Sequence, residues 1–305
     1  MQRRLLCRAA LLGLMLVMPA LARSAPAPQA KSDKPSLILR VAALDQLRGD
    51  LRYLAELVGQ KEITGQLDAL LKSRIGDKGL EGIDTKKPLG AYGWVKSSFE
   101  DSPLVVLIPV TDEKAFLALL ENLDVKSEKG EDGLYTGNHE KIQVPIYFRF
   151  ANKYVYITAF HKDVLDKDKL LAPAKVLPAG EIGDLSLTVN IDQIPDNIKE
   201  LGLSGLDNHL AGAKEKLPKQ GTETEQKFRE AMIDEFGVGI KSLFTNGGAT
   251  TLRLDVDRKT ADLSLSMSVT GKPDSPLATT IKNLGQTKSS TASLIGSNSA
   301  MHGVL

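Results

Sequence analysis

The chain is expected to fold as an α+β protein in which antiparallel sheets are covered by helical hairpins, in two related units of which the second is incomplete. Three observations predict this. Apolar residues recur at helical spacing in paired runs, strands come as short alternating segments, and the order strand, helical hairpin, two strands, helix occurs twice. Composition agrees, because 42% hydrophobic and 25% charged residues make a folding mixture. A length of 305 residues suits about two domains at roughly 150 residues each.

The elements follow in order. Ser36-Leu-Ile-Leu-Arg-Val is a short strand, and Leu44, Leu47, Leu51, Leu54 and Val58 then share one helical face that Gly59 ends. Ile63, Leu67, Leu70, Leu71 and Ile75 give a second helix, closed by Gly76, which pairs with the first as a hairpin. Pro88 to Val95 and Pro103 to Val110 read as strands. The unalternating Leu-Val-Val-Leu-Ile marks the latter as central and covered on both faces. Thr111 offers an N-cap hydroxyl to a helix carrying Phe116, Leu119, Leu120 and Leu123 and running to about Asn122. An antiparallel meander follows at Leu134-Tyr-Thr, Ile142 to Phe150 and Tyr154 to Ala159, with a turn at Asn152-Lys153.

Pro173, Pro178 and Gly180 punctuate a boundary, so residues 36–178 form a first α+β unit and 179–305 a second. Leu185 to Ile191 restarts the pattern as an alternating strand. Ile194 to Leu217 and Glu223 to Phe244 form a longer helical hairpin around Pro218. Leu252, Leu254 and Val256 then share a face with Leu263, Leu265, Met267 and Val269 across the Asp257-Arg-Lys-Thr turn. Arg253, Asp255, Ser264, Ser266 and Ser268 point the other way, so one face is expected to be buried and the other wet. The second unit lacks a counterpart to the meander, and Met301 to Leu305 reads as the start of a strand. On this reading the chain is a shortened form of a longer repeat protein.

Residues 1–22 read as a secretory signal peptide: Arg3, Arg4 and Arg8 precede an apolar run from Ala9 to Val17, and Pro19-Ala-Leu-Ala suits cleavage near Ala22. Residues 23–35 read as a disordered linker. The location implied is periplasmic or extracellular, with no transmembrane span after cleavage. Loss of three arginines leaves 36 basic and 38 acidic side chains, a formal charge of −2. That balance excludes the basic surplus of a nucleic-acid binder and does not favour anionic membranes. Cys7, the single cysteine, lies before the apolar run, so thiolate, disulfide and Cys-zinc chemistry leave with the leader.

Several segments are familiar. Gly82-Ile-Asp-Thr-Lys-Lys-Pro-Leu-Gly-Ala-Tyr-Gly, Pro109-Val-Thr-Asp-Glu-Lys-Ala-Phe, Asp132-Gly-Leu-Tyr, Tyr147-Phe-Arg-Phe-Ala-Asn-Lys-Tyr-Val-Tyr-Ile-Thr-Ala and Asp192-Gln-Ile-Pro resemble large secreted proteins of unknown function from planctomycete-type bacteria. The likeness covers roughly residues 36 to 290 and is similar in layout to exported α+β families. It implies compartment and fold class and carries over no catalytic residue.

Catalytic and metal motifs are absent from the sequence. The four histidines, His139, His161, His209 and His302, lie far apart, and none has zincin spacing. Asp163-Val-Leu-Asp-Lys-Asp lacks the glycine and terminal glutamate of a calcium loop. No Gly-x-Ser-x-Gly elbow, Ser-x-x-Lys pair or phosphate cradle occurs, and Asp255 with Asp257 reads as surface charge. Neither cofactor nor metal is expected. Six of the fifteen aromatics fall within residues 147–160, and alternation would place Phe148, Phe150, Tyr154 and Tyr156 largely on shared faces of a hairpin. These four are the candidate contact residues for a ligand or partner, against the plainer reading of sheet core. The expected function is a non-enzymatic envelope protein acting as an interaction or structural module, with an envelope protein as partner. A carrier of an apolar ligand between sheet and helices is the alternative, and a hydrolase with a dispersed site the third.

Overall fold

The computed structural model describes residues 34–60, 79–139, 142–180, 182–218 and 220–284, together with 62, 65, 66, 69, 72 and 73. The leader, most of the linker, the greater part of the expected helix at 62–75 and the tail 285–305 lie outside the described residues. The strands are β1 Leu37–Val41, β2 Leu89–Gly93, β3 Leu104–Pro109, β4 Val125–Lys129, β5 Tyr135–His139, β6 Ile142–Ala151, β7 Tyr154–Ala159, β8 Leu185–Asn190, β9 Gly247–Asp257 and β10 Asp262–Gly271. The helices are α1 Leu44–Leu57, α2 Glu113–Asn122, α3 Pro173–Val176, α4 Asp196–Glu215, α5 Glu223–Asn246 and α6 Pro276–Leu284. The class is α+β with antiparallel pairing throughout.

All ten strands belong to one sheet, in the order β10-β9-β8-β1-β2-β3-β7-β6-β5-β4. The two expected sheets are therefore continuous, because β1 carries β2 on one edge and β8 on the other, with Leu39 opposite both Ala91 and Leu187. Strand order mirrors itself about the β1·β8 pair, with β1-β2-β3 on one side and β8-β9-β10 on the other. β3 lies centrally between β2 and β7, as expected, but its two faces are covered unequally: Val105 and Leu107 on one are fully buried, whereas Val106 and Ile108 on the other are half-buried.

The sheet has two chemically distinct faces. On the first, Tyr92, Val105, Leu107, Tyr154 and Tyr156 form a core closed by a strap of residues 162–178 that contributes Leu165, Val176 and Leu177. Buried donors from the sheet hold the strap's carbonyls: Arg149 Nε donates to Leu165 O at 2.7 Å, Arg40 Nε to Val176 O at 2.8 Å, and Tyr156 hydroxyl to Leu171 O at 2.9 Å. On the second face, α2 covers the meander through Phe116, which packs with Val110, Tyr135, Phe148 and Val155. The cap of α2 is Asp112, whose carboxylate accepts from Ala115 N at 2.7 Å, and not Thr111 as expected; a carboxylate also suits the positive end of the helix dipole.

Strand β4, Val-Lys-Ser-Glu-Lys, is absent from the expected set because it holds a single apolar residue and gives no alternating signal. Asn152 and Lys153 both adopt positive φ, the geometry of a two-residue turn between β6 and β7. Helix α5 begins with a capping box in which Thr222 and Glu225 satisfy each other's backbone N–H groups. Antiparallel to it, α4 closes against the α5 seam: a Cβ on Gly237 would run into Leu210, and one on Gly202 would crowd Phe244. Lys241–Asp207 at 2.6 Å and Lys214–Asp234 at 2.5 Å bridge the two helices.

Candidate interaction surface

The four aromatic candidates do not form one surface. The register places Phe148 opposite Ile157 and Phe150 opposite Val155, so both phenylalanines lie on the α2 face, whereas Tyr154 and Tyr156 lie on the strap face. Shared placement fails because Phe150 and Tyr154 differ in face once the tight turn at 152–153 sets the pairing. Phe148, Tyr154 and Tyr156 are buried, and Phe148 and Phe150 form an edge-to-face pair with centroids 5.9 Å apart. Stacking of Phe148 on Tyr135 at 4.9 Å and edge contact of Phe150 with Phe116 at 5.8 Å complete the packing. Tyr92 is likewise enclosed, and burial pushes its phenol up to about 12.

The other polar candidates are engaged in local structure. Asp255 is paired with Arg253 at 2.7 Å, and Asp257 caps its turn by accepting from Lys259 N at 2.8 Å, so the two carboxylates form no dyad. Lys169 neutralises Asp166 at 2.9 Å in the stretch resembling a calcium loop. His139 lies on β5, His209 on α4 and His161 just before the strap, while His302 is outside the described residues. Among the described residues, no three metal-ligating side chains converge.

Two further polar features were not visible in the sequence. A cleft of about 460 Å³ lies where Ser36, Trp94, Asp192, Asp196, Lys199 and Lys272 meet. Two of its lysines are engaged: Lys199 Nζ donates to Asp196 at 3.2 Å and Lys272 Nζ to Thr245 O at 2.9 Å. The second feature joins α1 to the far end of the sheet. Asp184 accepts from Gln46 Nε2 at 2.7 Å and from Val256 N at 2.5 Å, and Asp50 pairs with Arg258 at 2.9 Å. Asp50 is buried, with Oδ2 lacking a partner. Burial raises its pKa, as does the neighbouring Asp184, while Arg258 opposes the shift.

Among the described residues, the surface left uncovered is apolar. Pairing of Leu185 with Leu254 and Leu187 with Leu252, and of Leu263, Leu265 and Met267 with Val256, Leu254 and Leu252, puts these side chains on one face of β8–β10. It is the same side as α2 further along the sheet, because Leu187 is opposite Leu39, Leu39 opposite Ala91, and Ala91 opposite Val106, which pairs with Ile157. Leu185, Leu187, Leu252, Leu263, Leu265 and Met267 are 40–68% exposed. Among the described residues, the face expected to be buried is therefore open, while α4 and α5 pack on each other. A second bare stripe, Phe228, Met232 and Phe236, runs at i, i+4 and i+8 along α5. The opposite face of the β8–β10 region is polar, with Thr188 and Thr251 hydroxyls 2.9 Å apart and Arg40 Nη1 donating to Thr188 at 2.7 Å.

The alternation that makes the bare face was legible in the sequence; its exposure was not. Among the described residues, no helix is long and apolar enough to cross a membrane. No protein-family model and no curated protein matches the chain. Among solved structures, crystal form IV of TP0453 is similar at 10% identity and a TM-score of 0.34, covering 78% of this chain and 77% of that one. Crystal form III gives 11%, 0.34, 82% and 83%, and crystal form I gives 11%, 0.33, 82% and 80%, a likeness too distant to bear on function.

Proposed function

We propose that the protein is an exported, non-enzymatic interaction module whose contact surface is the apolar face of β8–β10. The observation that carries this reading is the row of bare leucines and Met267 on three adjacent strands. Apolar surface costs about 25 cal/mol per Å² to leave in water, and contiguous patches of this kind mark contact sites. Export is supported by the Arg-rich start, apolar run and Ala22 site, and by the likeness to secreted planctomycete-type proteins. N-terminal sequencing of protein recovered from its own envelope should begin near Arg23; a start at Met1 would remove the export reading.

The apolar-ligand carrier has less support, because a carried ligand needs an enclosing cavity and the side chains of this face stand 40–68% exposed. A hydrolase has less still, since the neighbouring carboxylates Asp50 and Asp184 are both buried and engaged, Asp50 with Arg258 and Asp184 with Gln46 and Val256 N. The contact reading is tested by placing a photo-crosslinking residue at Leu252, in the middle of the face, and at Thr260, in the turn. Discrete protein adducts from position 252 alone are the expected result. A protein that carries lipid mass in native mass spectrometry and gives no adduct would favour the carrier.

A further inference from the structure

We propose that the cleft of about 460 Å³ at the start of α4 is a binding site for a small organic anion, one that carries a carboxylate or phosphate beside an apolar body. The inference is independent of the contact reading above. Three observations support it.

The cleft has an internal twin. In the β1·β8 pair Leu37 is opposite Val189 and Val41 opposite Leu185, so a local two-fold axis carries β1 onto β8. The same axis carries β2 and β3 onto β9 and β10, because Gly93 lies between Leu37 and Leu104 as Leu254 lies between Leu185 and Leu265. Hydrogen bonds outside the ladders repeat with it. Ser36 N donates to Gly93 O at 2.8 Å and Asp184 N to Leu254 O at 2.9 Å. Val95 N donates to Ser36 Oγ at 3.1 Å and Val256 N to the Asp184 carboxylate at 2.5 Å. The helix that follows is held in the same way, by Asn197 Nδ2 donating to Ser97 O at 3.1 Å in one case and by Arg258 pairing with Asp50 at 2.9 Å in the other. The junction at Asp184, where α1 starts, and the junction at Ser36, where α4 starts, are two copies of one arrangement.

The copies differ in charge. Asp184, Asp50, Asp255 and Asp257 stand at the first, and the matching positions of the second hold Ser36, Asn197, Trp94 and Lys96. At the first junction the acids meet arginines of the same chain, Asp50 with Arg258 and Asp255 with Arg253. At the second those four acids are replaced by neutral or basic residues, and the cleft opens there with Ser36, Trp94 and Lys96 in its wall.

The groups around the cleft favour an anion. Lys34, Lys96, Lys199 and Lys272 line it against Asp192 and Asp196, four positive charges to two negative. The Asp196 side chain is 91% exposed, and Asp192 accepts from Gln193 Nε2 at 2.9 Å, whereas Lys199 is buried. The 20-residue α4 begins here behind Pro195, which supplies no side-chain cap, so the positive end of its dipole adds to the field. Trp94, half-buried and edge to face with Tyr92 at 5.3 Å, gives the cleft an apolar wall. The volume falls within the about 300–1,000 Å³ of ordinary small-molecule sites.

Trp94 is the single tryptophan of the chain, so its fluorescence reads the cleft directly. The test is titration of the full chain with benzoate, phenyl phosphate and inorganic phosphate, with benzamide and choline chloride at matched ionic strength as controls, and with phosphatidylglycerol vesicles. Expected is a saturable response to benzoate or phenyl phosphate, half complete below about 5 mM, and none to benzamide or choline chloride. Inorganic phosphate, which lacks the apolar body, should bind at least threefold more weakly than phenyl phosphate. Lys96→Glu should weaken the response tenfold or more, while Lys259→Glu, the same reversal in the β9–β10 turn, should leave it unchanged. Should Lys96→Glu disturb the circular dichroism, Lys96→Gln and the contrast of benzoate with benzamide in the unaltered protein decide. No saturable response to a soluble anion up to about 50 mM, a response shared by benzamide, one indifferent to Lys96, or one to vesicles alone overturns the proposal.

Discussion

Asp50 and Arg149 show how single buried charges organise this molecule. Asp50 titrates above the ordinary carboxylate range in the fold because burial and Asp184 both disfavour its anion. An acid with a raised folded pKa contributes stability that is fully present below its unfolded pKa, near 3.9, and lost as pH climbs through the folded value. Asp50→Asn removes this titration. Its melting temperature should therefore change less than that of the unaltered protein between acid and neutral pH, as followed by circular dichroism. An equal slope in both proteins would exclude Asp50 as the source. Arg149 works differently: its guanidinium donates at 2.7 Å to Leu165 O, Asp132 O and the Asp132 carboxylate, tying β6 to the strap and to the turn before β5. Asp132 is largely exposed, so most of the loss in Arg149→Ala comes from stranded carbonyls and lost packing. A cost of about 3 kcal/mol in urea unfolding is expected, whereas Asp132→Asn should be clearly milder.

Glycines separate the two helical layers at the level of elements. Gly82 has φ +93°, and a Cβ there would overlap the backbone of Ala115 and Phe116, so this residue lets the loop before β2 lie directly against α2. Gly82→Ala should cost more than about 2 kcal/mol by combining strain with displacement of the helix that covers Phe148. Gly239 sits inside α5 with open space around its Cβ position, and Gly239→Ala should stabilise by about 0.5–1 kcal/mol through helix propensity alone. Thermal melts of the two variants should move in opposite directions. Elements with strong local signals were legible: α4 and α5 at 196–215 and 223–246 lie within two residues of the sequence expectation at each end. β4 was not, because an edge strand protected by charge has discarded the apolar alternation that identifies strands. The α2 cap moved from Thr111 to Asp112 because two adjacent side chains can each serve as cap, and backbone angles choose between them.

For the whole molecule, the exposed face of β8–β10 sets the behaviour in solution. The sequence by itself determined the antiparallel α+β class, the repeated element order, the helical hairpin and the one-faced pattern of Leu252 to Val269, because each rests on spacing along the chain. The tertiary structure decided that β1 and β8 join the units in one sheet, that Phe148 and Tyr154 serve opposite cores, and that the leucines of β8–β10 stand open. The first depends on pairing between residues more than a hundred positions apart, the second on the two-residue turn at 152–153 and the third on what packs over a face. Periodicity reports that a face is apolar but not what covers it.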